Sequence, residues 1–519
     1  MKTKTHQFAV VTFVLVCFLI LFSCKKNSTD EDNIVIYDDD RPLPYQYTDW
    51  MANLPDSILL SQITLPGTHD CAADNHSGGV PSGSHWCVVC QDFRFSNQLL
   101  LGVRWFDVRY DNVDDRLHHS YFVLSRSLDN IICDARDFLS SHPTETVVFL
   151  IKKEYGGSTD GTFSDKVWSI IQKYSSTLFY QDDNLPTLGD VRGKIVIATH
   201  DDSNRNGHLL GPNYSWPDNT ELFYGYTTSF TYYVQDHFSI NHVSYGAKSN
   251  EIRALIDISV GYPDPHRVDL NYTSAEKDAE ATSIKTVAHN INGNIRDYLL
   301  ANSEWRRCGA LMLNYAGGSD DNLCYPDLVR LIIQHNEFPH VNIGNQTWMG
   351  SNLTVTKYAN GDAIQKVTDP NEWQNLISGA YCEYNNVGNS YGNLYNWYAV
   401  TDPRGLAPAG WHVPSSAEWD ELIQFAGGTS MAGFNLKDVG TLHWWQDLGI
   451  DAYFFRAFPG GQRDGTGTFG SVGESGFWWC SSAINSSNAI NYWMNFDNTA
   501  VIQQTNLKTS GYTVRCIKD

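Results

Sequence analysis

The chain has 519 residues, with 58 acidic against 36 basic ones and a net charge of −22 near pH 7. So acidic a balance excludes the basic face that a nucleic-acid backbone demands, and equally excludes electrostatic capture by an anionic membrane surface. The length is too great for one core and suits two or three. Aromatic residues make up 13% of the chain and gather towards its C-terminus, which suits a carbohydrate or surface-binding module or simply a β-rich core.

Lys2 and Lys4 precede an apolar run from Phe8 to Phe22. That run is shorter than the ~20 residues a spanning helix needs, so residues 1–23 are predicted to be a signal peptide. It ends in Leu21-Phe22-Ser23-Cys24, which resembles the lipobox of bacterial lipoproteins. The resemblance implies that Cys24 becomes the acylated first residue of the mature protein, tethered to a membrane by lipid. Lys25 and Lys26, with no aspartate after the cysteine, point to an exported lipoprotein of the outer membrane or cell surface. Residues 24–44, rich in Lys, Asn, Ser, Asp and Pro, bury little apolar surface and are predicted to form a flexible stalk.

From residue 45 to about 337 the pattern alternates between strand and helix. The short run Ile63-Thr64-Leu65 leads into Pro66-Gly67-Thr68-His69-Asp70, and Gly102-Val103-Arg104-Trp105-Phe106-Asp107-Val108-Arg109 and Leu117-His118-His119 follow. Leu128, Ile131, Ile132, Ala135, Phe138 and Leu139 keep helical spacing up to Pro143, and Thr146 to Ile151 is an unbroken apolar and β-branched run ending in Lys152 and Lys153. A helix is predicted over 167–174, then strands over 194–198, 254–258 and 310–313, and a helix over 327–334. Such alternation implies a parallel sheet, and functional side chains at C-terminal strand ends are the signature of a barrel enzyme. Two histidines, two aspartates and an arginine in such positions are what cleavage of a phosphodiester by an internal nucleophile requires: one ring takes a proton, the other gives one, and a fixed cation holds the phosphoryl charge.

This ordered set closely resembles the catalytic X region of bacterial phosphatidylinositol-specific phospholipase C. The likeness continues through Asp49-Trp50-Met51, Leu54-Pro55-Asp56-Ser57, Pro143-Thr144-Glu145-Thr146, Lys152-Lys153-Glu154, Gly189 to Val196 and Trp216-Pro217-Asp218-Asn219. It implies an irregular TIM barrel and a set of roles. His69 matches the general base that deprotonates the inositol 2-hydroxyl. His119 matches the general acid for the departing diacylglycerol oxygen, assisted by Asp70, with His118 as a spacer. Arg109 matches the arginine that neutralises the phosphoryl oxygens, with Asp107 beside it. Calcium-dependent relatives carry an acidic ligand where Arg109 stands, because a hard cation needs oxygen donors; no metal or other cofactor is therefore expected.

Three positions depart from the family pattern. The carboxylate that orients the base falls at the neutral Asn314, which weakens the base. An arginine that touches inositol hydroxyls falls at His200, and the stacking tyrosine falls at Phe238, beside the retained Asp236. Lys153 is kept for a sugar or phosphate contact. Trp86 falls where the family carries an interfacial tryptophan on a short helix, since amphipathic rings favour headgroup regions; the alternative is a ring partly buried under a loop.

From 341 to 519 the motifs Ile343-Gly344-Asn345-Gln346-Thr347-Trp348-Met349, Tyr391 to Trp397, Leu406 to Pro414, Phe458-Pro459-Gly460-Gly461 and Val514-Arg515-Cys516 resemble the Fibrobacter succinogenes major paralogous domain. The likeness implies an α+β fold related to C-type lectins and the formylglycine-generating enzyme, with a helix over 416–425. No nucleophile and base set stands out there, so a carbohydrate or surface ligand is expected, or a structural cap. Nine cysteines follow Cys24, and export favours disulfides; Cys480 with Cys516 is the expected pair. Cys87-Val88-Val89-Cys90 has zinc-knuckle or redox spacing, but no second cysteine pair lies near it in sequence, so no metal is expected there. Two functions compete: a surface lipoprotein enzyme acting on phosphatidylinositol or glycosylphosphatidylinositol anchors, and an adhesin-like protein whose barrel binds inositol or sugar phosphates with little turnover.

Overall fold

Four wholly buried residues, Leu65–Thr68, form the first strand and the centre of a parallel sheet. The computed structural model describes residues 46–75, 84–154, 161–202, 204–277, 282–303, 306–317, 327–387 and 391–519, together with Leu43 and Tyr325. The predicted leader and Cys24 lie outside the described residues, as does the stalk except for Leu43.

The first sheet has twelve strands among the described residues. They are β1 (Leu65–Thr68), β2 (Trp105–Asp111), β3 (Arg116–His119), β4 (Phe122–Val123), β5 (Val147–Lys153) and β6 (Phe179–Tyr180). Then come β7 (Ile195–His200), β8 (Asn213–Tyr214), β9 (Thr220–Tyr226), β10 (Thr231–Asp236), β11 (Arg267–Tyr272) and β12 (Ala310–Leu313). The spatial order β6-β7-β5-β2-β1-β12-β11-β10 is parallel throughout, and β9 adds antiparallel to β10. The sheet curls on itself, since Leu65, Trp105, Val148, Val196, Val268 and Ala310 from six strands face one small cavity. Side chains close the remaining gap: the Tyr232 hydroxyl of β10 donates to the Ser215 carbonyl beyond β8 (2.7 Å) and accepts from its N–H (3.0 Å). The result is a TIM-barrel-like α/β fold. Gly67 is required by close approach, because a Cβ there would lie 2.4 Å from Met312 Sδ on β12.

Outer helices follow from amphipathic spacing. Among them are α1 (His85–Val88), α2 (Phe95–Leu100), α3 (Leu128–Ser141), α4 (Gly161–Ile171), α5 (Leu188–Val191), α6 (Tyr245–Gly261), α7 (Ile284–Ala301) and α8 (Leu328–Gln334). The α3 helix starts at Ser127, whose side chain accepts from Asn130 N–H, and buries the apolar stripe read from its spacing. The helix expected over 167–174 instead occupies Gly161–Ile171. The strand expected over 254–258 is wrong: those residues lie in α6, which Ser244 caps. Short apolar runs are ambiguous between the two periods, and here the buried set Ile252, Leu255, Ile256 and Ser259 is spaced for a helix. The strand is β11, nine residues further on.

Residues beyond 340 form sheets of four, three and five strands with short helices, among them Ser416–Phe425. Their tryptophans are mostly core: Trp348, Trp373, Trp419, Trp444, Trp478 and Trp479 are fully buried. The expected Cys480–Cys516 disulfide is absent, and all eight described cysteines are free. Cys480 packs into the main core and donates to the Ile490 carbonyl, whereas Cys516 belongs to a separate cluster with Tyr395 and Val514.

The two parts share one core. Phe454 meets Tyr47 and Phe338 at ring distances of 5.7 and 4.8 Å, Arg330 of α8 donates to the Ile450 carbonyl, and Asn342 N–H donates to Asn53 Oδ1. Among the described residues no helix is long and apolar enough to cross a membrane.

The barrel's N-terminal segment is fastened by a buried ion pair. Arg104 uses every guanidinium N–H: Nε to Glu145 (2.9 Å), Nη1 to the Leu99 and Val103 carbonyls, Nη2 to the Tyr47 and Thr48 carbonyls. Glu145 also accepts from Met51 N–H (3.0 Å). Removing one partner leaves an uncompensated buried charge, so Glu145→Gln should cost about 3–5 kcal/mol. Urea unfolding of the full chain measures this, and a loss below about 1 kcal/mol would contradict it.

Candidate active site

The C-terminal ends of β1, β2, β5, β7, β10 and β12 deliver His69, Arg109, Lys152 with Lys153, His200, Asp236 and Asn314 to one cavity of about 580 Å³. That is room for a small polar ligand. Parallel register sets Arg109 opposite Lys152, and Lys152 opposite His200, so three basic side chains lie in one row across the sheet. His119 enters from the β3–β4 hairpin, and Phe238 and Glu154 complete the wall.

His69 sits between an amide and a cation. Its Nδ1 lies 2.9 Å from Asn314 Oδ1, and its Nε2 lies 2.7 Å from Arg109 Nη2. A guanidinium can only donate, so Nε2 must hold a free lone pair and Nδ1 carries the proton given to Asn314. Burial, then the charges of Arg109 and His119, holds this ring's pKa well below the usual histidine value, against a small upward pull from Asn314. The result is a neutral imidazole with its basic nitrogen turned to the cavity.

Arg109 is itself clamped. Its Nε donates to Asp107 (3.1 Å) and its Nη1 to both oxygens of Glu154 (2.9 and 3.1 Å). Burial works against its charge, but Asp107, Glu154 and Asp70 more than offset that and raise its pKa well above normal. Glu154 also accepts from Ser120 N–H beside His119, so one carboxylate ties the cation to the hairpin.

His119 has the opposite surroundings. Its Nδ1 lies 2.7 Å from Asp70 Oδ2 and 3.5 Å from Cys90 Sγ. Burial lowers its pKa, yet Cys90 and Asp70 outweigh burial and raise it well above the usual value, so this ring keeps its proton. Asp70 has a left-handed backbone, φ 44, just after His69; its N–H donates to Asp107 Oδ2. Aspartate tolerates that conformation better than most residues. His118 points to the other face of the strand and pairs with Asp114 (2.9 Å).

The remaining sequence-predicted residues also gather here. His200 is buried against Trp216 with ring centroids 3.9 Å apart, and burial with Lys152 and Arg109 drives its pKa well down. It is a neutral ring where an arginine was the family pattern. Asp236 accepts from Trp216 Nε1 (3.0 Å). Trp86 is 42% exposed on α1, whose Cys87 lines the cavity mouth with Tyr121 and Phe122. Glu154 has no role in the family pattern read above, and its place just after β5 is the one sequence signal for it. The Cys90 contact had none, because a hairpin 29 residues away supplies its partner. Among the described residues Asp70, Cys90 and His119, and separately Glu221, His237 and Glu251, could hold a metal.

Residues 63–201 match the model of the phosphatidylinositol-specific phospholipase C X domain, and residues 341–518 match that of the Fibrobacter succinogenes major domain. A 1-phosphatidylinositol phosphodiesterase of Staphylococcus aureus is 29% identical over 308 residues, covering 56% of this chain and 94% of its own. Its Listeria monocytogenes counterpart is 27% identical over 184 residues, 33% of this chain and 55% of its own. A solved variant of the phosphatidylinositol-specific phospholipase C from Staphylococcus aureus has a TM-score of 0.48 and 26% identity, covering 56% of this chain and 97% of that one. The chain thus joins a phosphatidylinositol-specific phospholipase C X domain to a C-terminal Fibrobacter succinogenes major domain, and its relatives include bacterial phosphatidylinositol phosphodiesterases.

Proposed function

We propose that the barrel cleaves phosphatidylinositol, or the same linkage in a glycosylphosphatidylinositol anchor, into diacylglycerol and inositol 1,2-cyclic phosphate. The observation that carries this reading is the pair of histidines of opposite protonation in one cavity, with Arg109 fixed beside them. His69 Nε2 removes the proton of the inositol 2-hydroxyl, whose oxygen attacks phosphorus as the bond to the glycerol oxygen breaks. His119 gives its proton to that departing oxygen, and Asp70 stabilises the imidazolium beforehand. Arg109, already aimed at His69, transfers its hydrogen bond to a phosphoryl oxygen; Asp107 and Glu154 keep it in place. Its charge performs the task a calcium ion would perform and repels such an ion, so the reaction needs no metal.

Lys153, Asp236 and Phe238 would hold the head group, and Trp86 with Tyr121 would meet the lipid surface. The buried, neutral His200 favours a head group other than that of the best-known family members, or a barrel that binds inositol and sugar phosphates and turns over slowly. We further propose that the chain is exported and anchored through Cys24, and that the C-terminal domain has a lectin-like fold binding a carbohydrate or surface ligand.

Release of cyclic inositol phosphate from phosphatidylinositol vesicles, in EDTA, by the chain lacking its first 24 residues tests the activity. His69→Ala and His119→Ala should each lower the rate by about 10²–10⁴-fold; turnover that survives both, or that EDTA abolishes, would overturn the mechanism. The pH dependence has a definite sign. The acidic limb of kcat/KM reports loss of the neutral His69, and because that ring is depressed, the limb should lie below the ordinary histidine range. Asn314→Asp puts a negative charge on Nδ1–H, raises the His69 pKa and should move the limb to higher pH. A limb that stays put or moves down would show that another group is the base.

A further inference from the structure

We propose that Asp70, Cys90 and His119 form a binding site for a soft divalent metal of the zinc class, and that occupancy of this site silences the barrel. The site itself goes beyond the phospholipase reading; only the silencing rests on it. Three segments far apart in sequence supply the donors: the turn after β1, the loop after α1 and the end of β3. One donor atom from each of Asp70, Cys90 and His119 lies within 4.8 Å of the other two; Asp70 and Cys90 are buried, and the His119 side chain is 12% exposed. Cys90 is pinned by its backbone, its N–H donating to the Ala73 carbonyl (2.8 Å) and its carbonyl accepting from Tyr315 N–H (2.7 Å).

The spacing suits a tetrahedral ion. With ordinary zinc bond lengths, nitrogen and sulfur on one ion stand about 3.6 Å apart, and here Nδ1 and Sγ are 3.5 Å apart. Nitrogen and carboxylate oxygen need about 3.4 Å, against 2.7 Å in the metal-free pair; replacing the shared proton by an ion opens that contact by about 0.7 Å. The Cys90 thiol donates towards the Val88 carbonyl (3.6 Å), which turns a sulfur lone pair towards the ring. The cavity that His119 lines offers an entry path and room for a water at the fourth position. A thiolate and a carboxylate together offset the ion's charge near Arg109. Sulfur and imidazole favour zinc or cadmium over calcium or magnesium, which prefer oxygen sets.

Binding releases the thiol proton and the Nδ1 proton to solvent. His119 then becomes a neutral, metal-bound imidazole, whose Nε2 proton leaves far less readily than that of an imidazolium, so protonation of the departing oxygen stops. The Cys87 side chain, also at the cavity mouth, is not a ligand, because it is not within the donor cluster.

The test uses the full chain stripped with EDTA and titrated with Cd²⁺, read by the ultraviolet thiolate-to-cadmium charge-transfer band. The band should saturate near roughly one equivalent, persist in Cys87→Ser, and vanish in Cys90→Ser. Asp70→Asn, altered in a different segment, should retain the band but weaken Cd²⁺ binding by about tenfold or more. No band in the unmodified chain, or a band that survives Cys90→Ser, would overturn the site whether or not the barrel has turnover. With phosphatidylinositol vesicles, Zn²⁺ should inhibit and EDTA restore the rate, and Cys90→Ser, measured against its own metal-free rate, should need about tenfold more Zn²⁺. Equal Zn²⁺ sensitivity of the two chains would overturn the silencing.

Discussion

Arg109 is the constraint from which the rest of the cavity follows. A guanidinium buried at a strand end is tolerable only with carboxylates around it, and Asp107 and Glu154 provide them from two neighbouring strands. Held there, the cation can only donate, so it dictates which nitrogen of His69 is free. The same charge keeps that ring neutral and makes the place inhospitable to a hard cation. The residue thus determines the state of the base and, with Lys152 and Lys153, supplies the positive charge of the mouth.

The two histidines share a cavity and differ because of what stands behind each. His69 leans on an amide and faces a cation, and His119 leans on a carboxylate and a thiol. Environments that push two titratable groups apart are how one site performs acid and base chemistry together. Asn314 sharpens the contrast, since a carboxylate at that position would draw the base towards the charged form. His200 belongs to the same electrostatics: beside Lys152, with Arg109 next in the row, and packed on Trp216, it is a neutral ring at the end of a row of cations.

The C-terminal domain leaves this mouth open. Its contacts include α8, Tyr47, Asn53, Ser303 and Phe338, and no described residue beyond 338 lines the cavity. The loop around Asp451, Phe454 and Arg456 adopts left-handed backbone at all three residues where it meets the barrel. One continuous core across the boundary makes the second domain part of the scaffold, whatever its outer face meets.

Local pattern was enough for the alternation of strand and helix, for α3, β5 and β12, and for the polar residues at strand ends, because periodicity and strand ends are written in neighbouring residues. The run 254–258 shows where local pattern fails: four apolar residues broken by Asp257 satisfy either period, and only packing of α6 on the sheet decides. The cysteines failed differently, since export and a resemblance to a family say nothing of whether Cys480 and Cys516 meet. Likewise His69, Asp70, Arg109 and His119 are readable from their motifs, but the tautomer of His69, the Glu154 clamp and the closeness of Cys90 to His119 are not. Those depend on which strands lie side by side and in what register. Sequence therefore determined which chemical groups this protein carries and on which elements, and tertiary structure alone decided their charge states, because a pKa is set by neighbours through space.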